Sequence, residues 1–164
     1  MPSVVAFLAA LDVLEGAKGM SREKRDYLRV ALDAVPLDRV RLMKTAFLVW
    51  HKQGRPRSGP FAFEPYLYGP CAFDLYTSIE QLERRGEIVR APHPVWRSVS
   101  YRLTPSGHAA ARAAALRLPP EVVSNLQRTA RWAAGQSFRS LLDYVYAQAP
   151  DFARRSVLRR RAAT

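Results

Sequence analysis

The sequence predicts an α+β fold that is mostly helical, on three observations. Apolar residues recur at helical spacing through most of the 164 residues. Two short β-like runs, EIVRA from Glu87 and SVSYRLT from Ser98, interrupt that spacing. Gly and Pro mark the boundaries between segments. With 48% apolar residues the chain can bury a core without disulfides or a structural metal, and a single domain, 1–164, is expected. It divides into N-terminal helices over 1–36, a core over 37–107, and a helical section with a basic tail over 108–164.

Val4, Phe7, Leu8, Leu11 and Leu14 predict a helix over 2–15, stopped by Gly16 and Gly19. Ser21 is placed to cap a second helix, whose Tyr27, Leu28, Ala31 and Leu32 form an apolar face ending before Pro36. In LDRVRLMKTAFLVWHKQG, Val40, Met43, Phe47 and Trp50 share a face that Leu42, Ala46 and Val49 widen. A central helix follows, with Arg39, Arg41 and Lys44 on its remaining polar surface. RPRSGP at 55–60 is a loop, and Phe61 to Pro65 an extended piece kept to an edge by Pro65. Gly69 permits a tight turn, and Pro70 suits the first turn of a helix, where its missing N–H has no partner to lose.

From Cys71 to Arg85, Leu75, Ile79 and Leu82 predict a buried face, opposite Phe73, Thr77, Glu80 and Arg84. Gly86 ends the helix so that Ile88 and Val89 can begin a strand. PHPVWR joins the two β-runs, too rich in Pro for a two-residue turn. Thr104 and Pro105 are the N-cap and first residue of an Ala-rich helix to Leu116. Two more helices follow, from Pro119 or Pro120 to Ala134 and from Ser137 to Ala147. Helix, helix, turn, helix, hairpin, helix is the order of a winged helix-turn-helix, with the core at 37–107 and a two-stranded wing. In that arrangement a helix enters a major groove while the hairpin meets the backbone.

The formal charge of +12 favours polyanionic partners, and it is uneven: residues 1–96 carry +3 and 97–164 carry +9. Twenty-two of the 26 cations are Arg, whose planar fork suits phosphate, although a GC-rich genome enriches Arg equally well. Cys71 alone allows no intramolecular disulfide, which fits a reducing cytoplasm. No apolar run approaches the roughly 20 residues of a membrane span, and VVAFLAALDVL lacks a basic leader.

RLMKTAFLVWHKQG, FEPYLYGPCAFDLYTSIEQLERRGEI and YRLTPSG together resemble the Panacea-type domain of SocA-like antitoxins and many phage-associated or uncharacterised bacterial proteins. The shared pattern is a leucine-rich helix, an aromatic segment ending in Tyr-Gly-Pro, a helix containing Leu-Tyr, and a Tyr-x-Leu-Thr-x-x-Gly close. SLLDYVYAQAPDFARRS matches the C-terminal helix of some relatives in part, with Ala149-Pro150-Asp151-Phe152 where they carry Tyr-Pro-Glu-Tyr. The resemblance covers 37–107 and, loosely, 137–156. It implies a winged-helix-like fold and a role in toxin neutralisation, protein delivery or transcriptional control, and no catalytic residue.

Two functions are consistent with these residues. The first is non-catalytic DNA binding, with transcriptional regulation as its purpose and double-stranded DNA as partner. Its contacts come from Phe73, Tyr76, Thr77, Glu80, Arg84 and Arg85 on the helix. Arg90, Trp96, Arg97 and Arg102 add to them on the wing, with His93 beside these, and Arg154, Arg155, Arg159, Arg160 and Arg161 in the tail. The bland alternative is that Arg84 and Arg85 are a solvated helix end and that Phe73 and Trp96 are packing residues. The second function is a protein-binding adaptor or antitoxin-like module, in which Phe73, Tyr76 and Trp96 form an aromatic patch. The C-terminal helices could mediate a homodimer. No cofactor, metal or catalytic group is expected. His51, His93 and His108 lack ligand spacing, and Cys71, near a helix N-terminus, is more simply a small buried residue than a nucleophile.

Overall fold

The computed structural model describes residues 21–92 and 98–157. The helix expected over 2–15, the wing residues His93, Trp96 and Arg97, and Arg159, Arg160 and Arg161 lie outside the described residues. Among the described residues the fold is α+β and mostly helical, with two small antiparallel sheets.

Helix α1 covers 21–34 and buries Tyr27, Leu28, Ala31 and Leu32, as their spacing predicts. Ser21 is already helical, not a cap. Beyond Pro36, Leu37 forms an isolated bridge with Tyr101, whose N–H donates to the Leu37 carbonyl at 2.8 Å. Asp38 then caps α2 (Arg39–Lys52) by accepting from the Arg41 N–H at 2.8 Å. Every residue of α2 from Arg41 to Val49 is buried, which makes it the central helix.

That burial corrects the placement of Arg41 and Lys44 on a polar surface, since each is only 4% exposed. With apolar neighbours filling every side of α2, both cations are enclosed and find partners inside. Arg41 pairs with Asp38 and donates to the Gln136 carbonyl, and Lys44 Nζ donates to the Pro70 carbonyl at 3.0 Å.

The segment ahead of α3 is a hairpin. β1 (Glu64–Tyr66) pairs with β2 (Gly69–Cys71), and Pro65 faces Pro70, a pairing in which neither residue has an N–H to lose. Gly69 takes the positive φ of +87° that the turn after Leu67 and Tyr68 requires. Pro70 is therefore a strand residue and not the first turn of a helix. Its carbonyl is tied to Lys44, and the Ala72 N–H lies 3.3 Å from Met43 Sδ, so helical geometry starts only with α3 (Phe73–Arg84).

α3 buries Leu75, Ile79 and Leu82 and exposes Phe73, Thr77, Glu80 and Arg84, the two faces the spacing predicts. Gly86, at φ +72°, lets the chain reverse, with the Glu87 N–H returning to the Leu82 carbonyl. β3 (Ile88–Pro92) and β4 (Val99–Leu103) pair with Ile88 opposite Leu103 and Arg90 opposite Tyr101. Thr104 caps α4 (Pro105–Arg117) by accepting from the Gly107 N–H, and α5 (Pro120–Ala134) and α6 (Phe138–Gln148) follow. Ser137 caps α6. One core joins α1, α2, α3, the β3–β4 ribbon, α4 and α5, while Phe47, Phe152 and Val145 pack a second cluster beneath α6 and the 3₁₀ turn Pro150–Ala153.

Candidate functional site

The α3 face carries Phe73, Thr77, Glu80 and Arg84, and the adjoining ribbon carries Arg90 and Arg102 on opposite faces; the charges of α3 and β3 are largely met locally. Arg84 faces Glu80 one turn back at 3.7 Å, with both side chains well exposed. Arg90 on β3 grips the Glu83 carboxylate through two hydrogen bonds of 3.0 Å. Arg85 donates to Glu87 at 2.7 Å. Arg102 is exposed on β4 opposite Val89, and Thr77 is exposed between Phe73 and Glu80.

Arg85, itself exposed, is joined through Glu87 to a buried network. Glu87 accepts from Arg29 at 2.6 and 2.9 Å, Arg29 also donates to Asp26 at 2.8 Å, and Arg117 grips Asp26 at 2.8 and 2.9 Å. This chain of charges clasps α1, the α3–β3 junction and α4. Burial pushes the Glu87 carboxyl up, but hydrogen bonds and charge from Arg29 and Arg85 outweigh it and hold the group below its ordinary value.

Phe73 and Tyr76 belong to a row of three aromatic rings with a guanidinium at each end. The Arg39 guanidinium lies 4.1 Å from the Tyr76 ring centroid, Tyr76 meets Phe73, Phe73 meets Tyr66 at 5.3 Å, and Arg155 lies 5.6 Å from the Tyr66 ring. Phe73 is 50% exposed. Tyr76 is half-buried, and its phenol is pushed up to about 12, chiefly by burial. Arg154 and Arg155 are both exposed after the 3₁₀ turn. Arg39 and Tyr66 were not among the sequence candidates. Helical spacing places Arg39 on the surface of α2, but only the hairpin brings Tyr66 beside Phe73.

Cys71 sits in β2 rather than at a helix N-terminus, 3.8 Å from the Tyr76 hydroxyl. Burial pushes its thiol up, the direction opposite to that of a reactive thiolate. His51 stacks on Phe47 and accepts from Arg55, and His108 lies 2.7 Å from Asp33. Among the described residues no group of three or more His, Cys, Asp or Glu could hold a metal ion, and no described helix is long and apolar enough to cross a membrane.

Among the described residues the fold and this surface define an α+β arrangement that presents one helix and one ribbon side by side. No family model, curated protein or solved structure matches the chain.

Proposed function

We propose that the protein is a non-catalytic DNA-binding protein of winged-helix type, acting in transcriptional regulation. The observation that carries this is the way α3 turns at Gly86 into the β3–β4 ribbon, while Leu37, between α1 and α2, bridges Tyr101 beside that ribbon. The sequence helix, short extended segment, helix, helix, two-stranded ribbon is the winged-helix order, with the β1–β2 hairpin inserted ahead of the helix that would enter a groove. The exposed ion pairs do not bar the reading, because such pairs contribute little and a phosphate can replace the carboxylate partner. The basic excess after residue 97 supplies the sequence-independent attraction.

The test is fluorescence anisotropy with pooled random duplexes and with DNA upstream of the protein's own gene, over a salt series. The wild type should prefer the upstream duplex at physiological salt. Arg84→Gln with Arg102→Gln should weaken binding and flatten the salt slope by about two, one per lost phosphate contact. An unchanged affinity and slope in that double variant would sink the proposal.

A second reading is favoured by one observation: the α3 face is close to charge-balanced, and its most prominent exposed group is the aromatic Phe73 beside Tyr66 and Tyr76. That is the composition of a protein-binding patch, and it suits the antitoxin-like role that the resemblance to Panacea-type domains implies. A partner captured by the wild type and lost by Phe73→Ala, with DNA binding intact in both, would select it. Retention by Phe73→Ala would count against it.

A further inference from the structure

A groove of about 510 Å³ opens between the start of α2, β4 and the start of α6. Its size falls in the range of small-ligand sites rather than of macromolecular interfaces. Arg39, Arg90 and Tyr101 line it, together with the apolar Val40, Val99 and Phe138. Val99 is 51% exposed and Phe138 37%, so the apolar wall is open to an occupant.

The polar lining has an electrostatic bias. Asp38 is the acidic group in the groove, and its carboxylate is already taken up by Arg41, by the Arg41 N–H and by Ser98 Oγ at 3.1 Å. Arg41 is in turn fixed to the Gln136 carbonyl at 2.8 Å, which ties the groove floor to the α5–α6 connection. Arg39 has no carboxylate partner among the described residues and leans on Tyr76 alone. Arg90 shares Glu83 and lies 5.9 Å from the Tyr101 ring. Arg39, Arg90 and Tyr101 thus line one groove, and the Tyr101 phenol feels both cations: burial pushes it up while Arg39 and Arg90 pull it down. Among the described residues its hydroxyl has no hydrogen-bond partner. The positive end of the α2 dipole points the same way.

We infer that this groove binds a small anionic molecule bearing an apolar ring, its acid group held by Arg39 and the Tyr101 hydroxyl and its ring against Val40, Val99 and Phe138. A carboxylate or sulfonate forms charge-assisted hydrogen bonds with a guanidinium that has no internal carboxylate to compete. The ring covers side chains that water otherwise wets. The inference holds whichever macromolecule the α3 face meets.

Anilinonaphthalene sulfonate, which fluoresces in apolar sites, and the uncharged N-phenylnaphthylamine are the probes, titrated into the full chain. The sulfonate should bind saturably with a dissociation constant on the order of tens of micromolar. Arg39→Gln, at an exposed position, should weaken the sulfonate about tenfold and leave the uncharged dye unchanged. Phe138→Ala should weaken both dyes. Arg128→Gln serves as the control, because Arg128 lines a separate concavity with Trp132 and Tyr144, and it should change neither. Absence of saturable binding, an unchanged sulfonate affinity in Arg39→Gln, or an equal loss in Arg128→Gln would overturn the inference.

Discussion

Replacing Glu87 by Gln tests whether the buried charge network holds the three segments it connects. The carboxylate accepts three hydrogen bonds, two from Arg29 and one from Arg85, and its side chain is only 8% exposed. Gln keeps the volume but removes the charge, and its amide nitrogen turns a donor toward a buried guanidinium. Removing one partner of a buried pair costs about 3–5 kcal/mol. Arg29 retains Asp26 at 2.8 Å, and Arg85 is exposed enough for water to replace its partner, so the lower end, about 3 kcal/mol, applies. For a chain of this length that lowers Tm by roughly 6–12 °C. Urea unfolding at pH 7 gives the free energy, and a double-mutant cycle with Arg29→Met isolates the pair, the double variant losing less than the sum of the two singles. Because the folded Glu87 carboxyl lies below its ordinary value near 4.5, its contribution is present above that value and is lost as pH falls through the folded one. The gap between wild type and Glu87→Gln should therefore narrow in acid. A loss under about 1 kcal/mol at pH 7, or an additive cycle, would refute the reasoning.

Three further predictions concern groups whose surroundings set their cost. Lys44 is pushed down to about 8 by burial, so below that pH the fold encloses a charge, and stability rises as pH climbs from about 8 to the ordinary lysine value of 10.5. Lys44→Met should stabilise the protein at pH 7 by about 1–3 kcal/mol and lose that advantage by pH 10, and a pH-independent difference between the two proteins would contradict this. A Cβ on Gly107 would lie 2.0 Å from the Glu87 carbonyl oxygen, so Gly107→Ala should cost about 1–3 kcal/mol despite the better helix propensity of Ala, and a rise in Tm would contradict it. Asp38 both caps α2 and neutralises the buried Arg41, so Asp38→Asn should lose the charge alone and Asp38→Ala about 1 kcal/mol more, by urea unfolding.

Most elements of the fold were legible in the sequence because their signals are local. Leu75, Ile79 and Leu82 give α3 its buried face, Gly86 its end, and Thr104 with Pro105 the start of α4, and each is found where its spacing or cap places it. The hairpin at 64–71 was not legible. Tyr-Gly-Pro suits a helix start as well as a strand, and the choice is made by Lys44 and Met43 reaching from α2 to the backbone at Pro70 and Ala72, contacts that no local spacing encodes. The same nonlocality hid Arg41 and Lys44, which occupy polar positions of a helix wheel until α5, α6 and the hairpin close over them.

The candidate site shows what sequence charge alone leaves undetermined. Arg84, Arg85 and Arg90 look equivalent along the chain, yet Arg84 meets an exposed Glu80, Arg90 is gripped twice by Glu83, and Arg85 reaches into the clasp that joins α1, β3 and α4. Arg85→Gln therefore confounds binding with folding, whereas Arg84→Gln and Arg102→Gln report on the surface. The Thr-x-x-Gly ending of the ribbon ties α4 to the backbone of Glu87. Thr104 receives the Gly107 N–H while its own N–H returns to the Glu87 carbonyl, and Gly107 has no Cβ because that carbonyl occupies the space. The residue whose side chain anchors the buried charges thus also sets, through its backbone, the angle at which α4 leaves the ribbon. A disturbance at Glu87 should consequently reach the ribbon and the α3 face together, which is why the stability of that junction has to be measured before any loss of binding is assigned to a surface arginine.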